Sequence, residues 1–557
     1  MSDAILSFKL GPVQPFIESA RTLRDLWSGS YLLSWLTAHG MKPLIEKYGY
    51  AAFVTPHVSE DNPLLRAVMS GTGTGDEAAT LACLPHTFAA EVEWDQRDAI
   101  MKEVEDAVRN AWKDIANAVR NALRDRVGDR MKPFLDSPTW EQQVANYFEI
   151  TVVVRPNGDV PPASEDWSET EWKQLGELLE MRRNVRHVPV NTPQPDARGR
   201  FPVKCSQLGS LEQMGPADFE ESKRYWASLT RLKAGKKNAP GWDGLHGTRL
   251  QSSDKLCAVA LVKRFMWPAY FAETPDKRLT NRLGVHVHKL RLTDTATMAA
   301  QRWLAEGEVK IDPQVEWQAG HWSGQWLHWA TPEEDDDAPC PPSVWDRIQA
   351  KKRGSKPPTY FALMHLDGDN MGQFFKGNRE RLRATSEALT KFSAGVQGIV
   401  KGHQGELIYA GGDDVLAFLP TETAIACARR LHEEFGKAFG KALPDATLSG
   451  GIAVVHYKED LRFALGQVRA AEKAAKKIAR KGTNPKAKDA LALTICKRSG
   501  ERATVVNSPA YRTSFDRSPI PSHRNISSRA ARASCSSWKM RWTCAARGSI
   551  TRGSDWT

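Results

Sequence analysis

Two short acidic stretches carry the strongest chemistry in this sequence. YAGGDDVLAF at 409–418 reads as a strand, a turn and a returning strand, with Gly411 and Gly412 followed by the adjacent carboxylates Asp413 and Asp414. Paired glycines permit the left-handed backbone of a two-residue hairpin turn and let a phosphate approach the main chain. Earlier in the chain, the apolar run TYFALMHL at 359–366 ends in Asp367, Gly368 and Asp369. One Gly/Asp turn alone is an ordinary hairpin feature. Two of them at one end of a sheet would gather Asp367, Asp369, Asp413 and Asp414 in a small volume, where four carboxylates repel unless cations fill the space. Oxygen-only donors select Mg²⁺ or Mn²⁺ and make zinc a poor match. A two-metal site of this kind supports phosphoryl or nucleotidyl transfer, one cation activating a 3′-hydroxyl while the other neutralises a triphosphate. Farther on, AEKAAKKIARKG at 471–482 sets Lys476 and Arg480 four apart on one helix face, as it does Lys473 and Lys477. Such a pair suits β- and γ-phosphates, and a solvated basic helix face is the plainer alternative.

The elements that must position these groups come in a regular order: strand 359–366, helix 377–401, strands 405–410 and 415–420, helix 422–442, strand 446–456, helix 460–481 and strand 490–497. That βαββαβ order with additions predicts a ferredoxin-like unit, a four-stranded antiparallel sheet with helices on one face. Its first strand and the first strand of the hairpin are expected to be adjacent and parallel, which brings their C-terminal ends together. Near the start, AILSFKL at 4–10 is a strand ended by GPVQPF, followed by helical spacing from Phe16 to His39, a charged amphipathic stretch at 97–131 and a strand at 148–154. The acidic, proline-rich TPEEDDDAPCPPS at 331–343 reads as a linker. The expected class is α+β, with a first domain over 1–202, a mixed α/β region over 203–330, a linker over 331–358 and a second domain over 359–500.

With 557 residues the chain is too long for one core. Its net charge of +11 is uneven, because residues 501–557 hold nine Arg and one Lys against two Asp and one Glu. That segment shows no apolar periodicity and is expected to be a disordered or out-of-frame tail whose removal leaves melting unchanged. The remaining charge is too small to argue for nucleic acid on its own. The eight cysteines lack paired spacing, no signal-like segment opens the chain and no apolar run is long enough to span a bilayer, so a cytoplasmic protein is expected. GTGTGD at 71–76 lacks the Lys-Ser/Thr ending of a phosphate loop, and His286 with His288 lacks a third ligand.

The GGDD hairpin, the strand ending in DGD and the LALTICKRSG ending resemble the Palm domain shared by GGDEF-type nucleotide cyclases and the large subunits of type III CRISPR complexes. FKLGPVQPFIESARTLRDLWSGSYLLSWL at the N-terminus resembles the first Palm segment of the type III-B (Cmr) large subunit, the Cas-ten family. The resemblance implies two ferredoxin-like Palm domains around a cleft for two ATP molecules, with the other Cmr subunits, a crRNA and a target RNA as partners. It implies conversion of ATP to cyclic oligoadenylates, with Asp367, Asp413 and Asp414 as metal ligands and Asp369 as a helper. Gly368, Gly411, Gly412, Lys476 and Arg480 would then contact nucleotide. The first Palm carries Gly11, Pro12, Val13 and Gln14 where the second has its acidic motif, so it would hold nucleotide without metal ligands. Arg24, Asp25, Gly29 and Ser30 would face the acceptor ATP, with helix capping and packing as the competing reading. No His-Asp dipeptide is present, so an HD nuclease is not expected. The zinc-finger segment is reduced to Cys205 in KCSQLGSLEQMG, with Cys83, Cys257 and Cys340 expected to lie apart from it. A catalytically silent scaffold subunit and a stand-alone cyclase are the alternatives.

Overall fold

The computed structural model describes residues 3–157, 169–185, 192–193, 195–230, 250, 253–290, 292–313, 315, 322–334, 339–375, 379–440, 443, 446–477 and 488–507. The first sheet contains β1 (Ala4–Gly11), β2 (Phe53–Thr55), β3 (Thr87–Val92) and β4 (Glu149–Pro156) in the order β2-β3-β1-β4, all antiparallel. The helices Leu23–Tyr48 and Arg97–Val127 occupy the two crossovers, so this is the expected ferredoxin-like βαββαβ unit. Alternation along β1 explains its two faces. Ala4, Leu6, Phe8 and Leu10 enter the main core, whereas Ile5 joins Leu175 and Leu179 of the helix Glu169–Asn184 on the other side.

The middle region is mostly helical. It holds only the two-residue strands β5 (Ala272–Glu273) and β6 (Val285–His286) among its described residues. It shares one apolar core with the first Palm unit, because Cys205, Trp226, Trp267, Phe271 and Met298 pack in the same cluster as Phe8, Trp27 and Trp35. The GTGTGD segment is docked against it, with Gly75 N–H donating to the Leu283 carbonyl at 2.8 Å. The expected linker is half a helix. Pro342–Gly354 is helical because Val344 and Ile348, one turn apart, bury against Trp322 and Trp326.

The second sheet contains β7 (Tyr360–Gly368), β8 (Glu406–Gly411), β9 (Asp414–Pro420), β10 (Leu448–His456), β11 (Leu491–Cys496) and β12 (Arg502–Asn507) in the order β12-β11-β10-β7-β9-β8. Its first four strands repeat the topology of the first sheet. Three expectations are corrected here. β7 and β8 are parallel but not neighbours, because the returning strand β9 lies between them and pairs antiparallel with both. The sheet has six strands, with β10 and β11 paired in parallel across the helix Leu461–Lys476. The helices lie on both faces: Arg379–Gly402 and Ala424–Phe439 cover Ala362, Met364 and Ile452, while Leu461–Lys476 covers Ala453 and Val455.

The tail does not begin at Glu501. β12 extends the sheet beyond β11, and the Thr494 and Thr504 hydroxyls meet at 2.9 Å across the pair. Alternation in the short RATVVN run is too brief to stand out beside the Arg/Ser-rich residues on its C-terminal side. A chain ending at Gly500 should therefore be less stable than one ending at Asn507, by about 1–2 kcal/mol from the lost cross-strand pairs. Thermal unfolding of the two chains checks this, and equal melting would show that β12 adds nothing. Among the described residues no helix is long and apolar enough to cross a membrane.

Candidate active site of the second Palm unit

Register builds the site. Leu366 of β7 faces Val415 of β9, which sets Asp367 abreast of Asp414. Gly411 pairs with Asp414, leaving Gly412 and Asp413 as a two-residue turn, and Gly412 has the φ of +67° that a primed turn demands. A Cβ at Gly412 would meet nothing within 4 Å, so the turn has an open side. Gly368 is different. A Cβ there would lie 2.8 Å from the Asp413 Cβ and 2.6 Å from Met371 Cγ, so its bare α-carbon lets the hairpin close onto β7 and its space is taken by protein, not left for a phosphate.

Desolvation raises the Asp413 and Asp414 carboxyls above the ordinary range, and at Asp414 repulsion from Asp413 and then Glu472 adds to it. Glu472 belongs to the helix Leu461–Lys476, which lies close on the sheet because Gly451 has no side chain. A Cβ at Gly451 would meet Glu472 N and Val468 O at 2.5 Å. One turn after Glu472, Lys476 pairs with Asp367 and, at 3.2 Å, with Glu472. Burial first, and then Lys488, lowers the Lys476 ammonium to about 8.

His365 precedes Asp367 by two residues on the same face of β7. Its Nε2 lies 3.4 Å from the Tyr409 hydroxyl and 3.8 Å from Asp414 Oδ1, and burial lowers its pKa to about 4, leaving a neutral imidazole. Tyr409 reaches this face through a bulge at Ile408, since Leu407 and Tyr409 pair with consecutive residues Ala417 and Leu416. Glu472, His365 and Tyr409 are not among the residues that the sequence motifs single out. The i, i+4 spacing of Glu472 and Lys476 and the i, i+2 spacing of His365 and Asp367 are the signals that point to two of them.

Asp369 is placed apart in function. Its Oδ2 accepts hydrogen bonds from Thr447 Oγ1 at 2.9 Å, Ser449 Oγ at 2.6 Å and Asp489 N at 2.9 Å, which fastens the end of β7 to β10 and to the start of β11. Among the described residues no three His, Cys, Asp or Glu side chains are gathered closely enough to hold a metal ion, so the expected four-carboxylate cluster is not formed in this arrangement. Asp369 is tied to β10, and Asp367 is engaged by Lys476. Arg480 lies outside the described residues.

The first Palm unit forms the opposite wall. Ala410 N–H donates to the Ala82 carbonyl at 3.2 Å, Gly411 lies beside Leu84 and Pro85, and Glu18 pairs with Arg469, one turn before Glu472. Gly11, Pro12 and Val13 line a cavity of about 390 Å³ together with His86, Glu149 and Arg183. Arg24, Asp25, Gly29 and Ser30 are buried, and the structure supports packing for them instead of a nucleotide face. Gly29 admits the Lys263 stem, whose Cε would lie 2.9 Å from a Cβ, and Ser30 Oγ–H points back to the Leu26 carbonyl at 3.4 Å. Asp25 is held by Arg264, with Nη2 to Oδ2 at 2.9 Å and Nε to Oδ1 at 3.1 Å.

Cys257 is also not where expected. Its N–H donates to Cys205 Sγ at 3.3 Å, so the two thiols are neighbours across fifty-two residues of sequence. Cys205 Sγ accepts two further backbone N–H groups, from Gln207 and Leu208.

Residues 5–117 match the family model described as CRISPR-associated protein Cmr2, N-terminal, and residues 360–485 match Cas10/Cmr2, second palm domain. A curated relative, CRISPR system Cmr subunit Cmr2 of Pyrococcus furiosus, is 27% identical over 89% of this chain and 62% of its own length. The chain thus spans somewhat under two thirds of that relative. The solved Type III-B Cmr-beta in its apo state shares the fold at a TM-score of 0.62 and 14% identity, over 90% of this chain and 70% of that one. The form bound to cognate target RNA gives 0.63 and 14%, over 90% and 71%. Two βαββαβ units with matching topology, an acidic hairpin on the second and a family match on each make this chain similar to Cas10/Cmr2 proteins in both units.

Proposed function

We propose that the second Palm site is a metal-dependent nucleotidyltransferase that converts ATP to cyclic oligoadenylates, within a type III-B complex of other Cmr subunits, crRNA and target RNA. The observation that carries the reading is the placement of Asp367, Asp413 and Asp414 at one sheet end, opposite Lys476 and against the first Palm unit. The donor chemistry fits a divalent cation: the carboxylates are hard oxygen ligands, and two of them are desolvated neighbours whose repulsion a cation relieves. Asp367, Asp413 and Asp414, which share one sheet end but are not drawn together around a cation in this arrangement, would have to close up to hold it. Asp369 positions the end of β7 through Oδ2, which accepts from three donors, and its buried Oδ1, with no hydrogen-bond partner among the described residues, is the oxygen left for a helper role.

Bound Mg²⁺ or Mn²⁺ supplies Lewis-acid activation of a ribose 3′-hydroxyl and charge neutralisation on the triphosphate. In each transfer the 3′-hydroxyl gives up its proton to solvent, its oxygen bonds to an α-phosphorus, the bond to the β-phosphate bridge breaks, and pyrophosphate leaves with that electron pair. The chain's own contribution is placement. The open side of Gly412 leaves room for phosphate, Lys476 offers an ammonium to it, and Ala82, Leu84 and Pro85 of the first Palm unit pack against the hairpin and fix its position. Incubation of the assembled complex with labelled ATP, Mn²⁺ and target RNA should yield cyclic oligoadenylates and pyrophosphate. Products from GTP instead would indicate a cyclase of another specificity, and no product with an intact complex would leave the scaffold reading.

A further inference from the structure

The basic helix does more at this site than present a phosphate ligand. Lys476 sits in the last turn of Leu461–Lys476, its side chain only 18% exposed, and engages Asp367 directly. Glu472, 11% exposed by its side chain, holds the same ammonium from the preceding turn at 3.2 Å. Gly451 fixes the distance between this helix and the sheet, since backbone atoms of Val468 and Glu472 fill the space a side chain would take. The ammonium is therefore a built-in part of the carboxylate group. It satisfies one oxygen donor that a divalent cation would need.

We propose that Lys476 is a resident counter-cation that competes with divalent metal for Asp367 and is drawn off by the phosphates of an incoming nucleotide, so that metal and nucleotide load together and free metal alone binds weakly. This rests on the assignment of Asp367, Asp413 and Asp414 as the metal-holding residues and adds a control of that site. The groups facing the ammonium argue for its transfer. Glu472 lies beside it on the helix, Asp367 receives it from β7, and Lys488 repels it from the start of β11. A triphosphate offers more negative charge than one carboxylate and meets the ammonium with several acceptor oxygens. Once the ammonium turns to phosphate, Asp367 is left without its cation beside Asp414, which favours a metal at that moment and not before. Glu472 keeps the side chain anchored near both positions.

The test is Mn²⁺ binding to the full chain, read from the free-ion electron paramagnetic resonance signal with and without a non-hydrolysable ATP analogue. Lys476→Met keeps the stem and a good helix former. It should bind Mn²⁺ alone about five- to tenfold more tightly than the parent, the scale of a partly screened ion pair. The gain in Mn²⁺ affinity that the analogue produces in the parent should largely disappear in this variant. Lys476→Arg, which keeps a cation there, should behave like the parent. Unchanged or weaker Mn²⁺ binding in Lys476→Met, with normal binding in the parent, overturns the competition while leaving the metal site standing. Loss of the metal site itself would show differently: Mn²⁺ binding that is absent from every variant, or that persists in Asp413→Ala/Asp414→Ala, overturns both readings.

Discussion

Asp413→Ala combined with Asp414→Ala should abolish oligoadenylate formation while leaving the melting temperature unchanged or slightly raised. The catalytic loss follows from removing two of the three oxygen donors assigned to the metal, a contribution of several kcal/mol, hence about 10³-fold or more. The unaffected fold follows from where the two residues sit. They occupy the turn and the first position of β9, the packing of β9 comes from Val415 to Leu419, and the turn geometry rests on Gly412. Desolvation and mutual repulsion oppose their charged forms, so the substitution relieves an unfavourable term. Labelled-ATP turnover and thermal unfolding of the same preparation check both halves. Retained turnover would remove the assignment. Lost turnover with a large fall in melting temperature would mean that the hairpin is structural and the catalytic inference unsafe.

What the sequence makes legible depends on how local the cause is. The strands and helices after residue 359 are readable because each apolar run is bounded by Gly, Pro or Asp and has its own period, and the GGDD turn is readable because its φ requirement is met by its own glycine. Strand order is a different kind of fact. Whether β7 lies beside β8 or beside β9 is decided by how the crossover helix covers the sheet, and no residue in either strand states it. The acidic groups nevertheless arrive at one sheet end, because β8 and β7 run in the same direction with β9 between them. The same division separates Asp367 from Asp369. Both read as carboxylates after a strand, yet Asp369 meets donors from 447, 449 and 489 that only tertiary structure brings to it. Cys205 and Cys257 belong to this class as well, since nothing in either local segment announces the other. The edge strand β12 is hidden by the Arg/Ser-rich composition on its C-terminal side. Its exposed residues bury little, so its pattern is weak even where its pairing is regular.

Arg264→Leu should destabilise the chain by about 3–5 kcal/mol, because it takes the guanidinium from two buried carboxylates and leaves Asp254 with Arg21 at its edge as its remaining ion pair. The guanidinium is 2% exposed and bridges Asp25 on the helix Leu23–Tyr48 to Asp254, which it meets at 2.6 Å. Burial alone would raise the Asp25 carboxyl, and the Arg264 charge and hydrogen bonds more than offset it, holding Asp25 below its ordinary value. Gln207 Nε2 adds a donor to Asp25 at 3.0 Å, and Arg21 reaches Asp254 at 3.2 Å. Next to this network Lys263 Nζ donates to the backbone carbonyls of Phe16, Ile17 and Ser19, closing the C-terminal end of the short helix whose Glu18 pairs with Arg469 on the second Palm unit. The middle region is thus fastened to the first Palm unit by buried charge as well as by the shared apolar core, and that fastening leads to the helix carrying Glu472 and Lys476. Equilibrium unfolding of Arg264→Leu measures the loss. Adding Asp25→Asn and Asp254→Asn should recover much of it, since the penalty lies in the uncompensated charges and not in the missing guanidinium. A triple variant no more stable than Arg264→Leu alone would show that the arginine acts through packing, and the network would lose its role as the tie between the middle region and the catalytic helix.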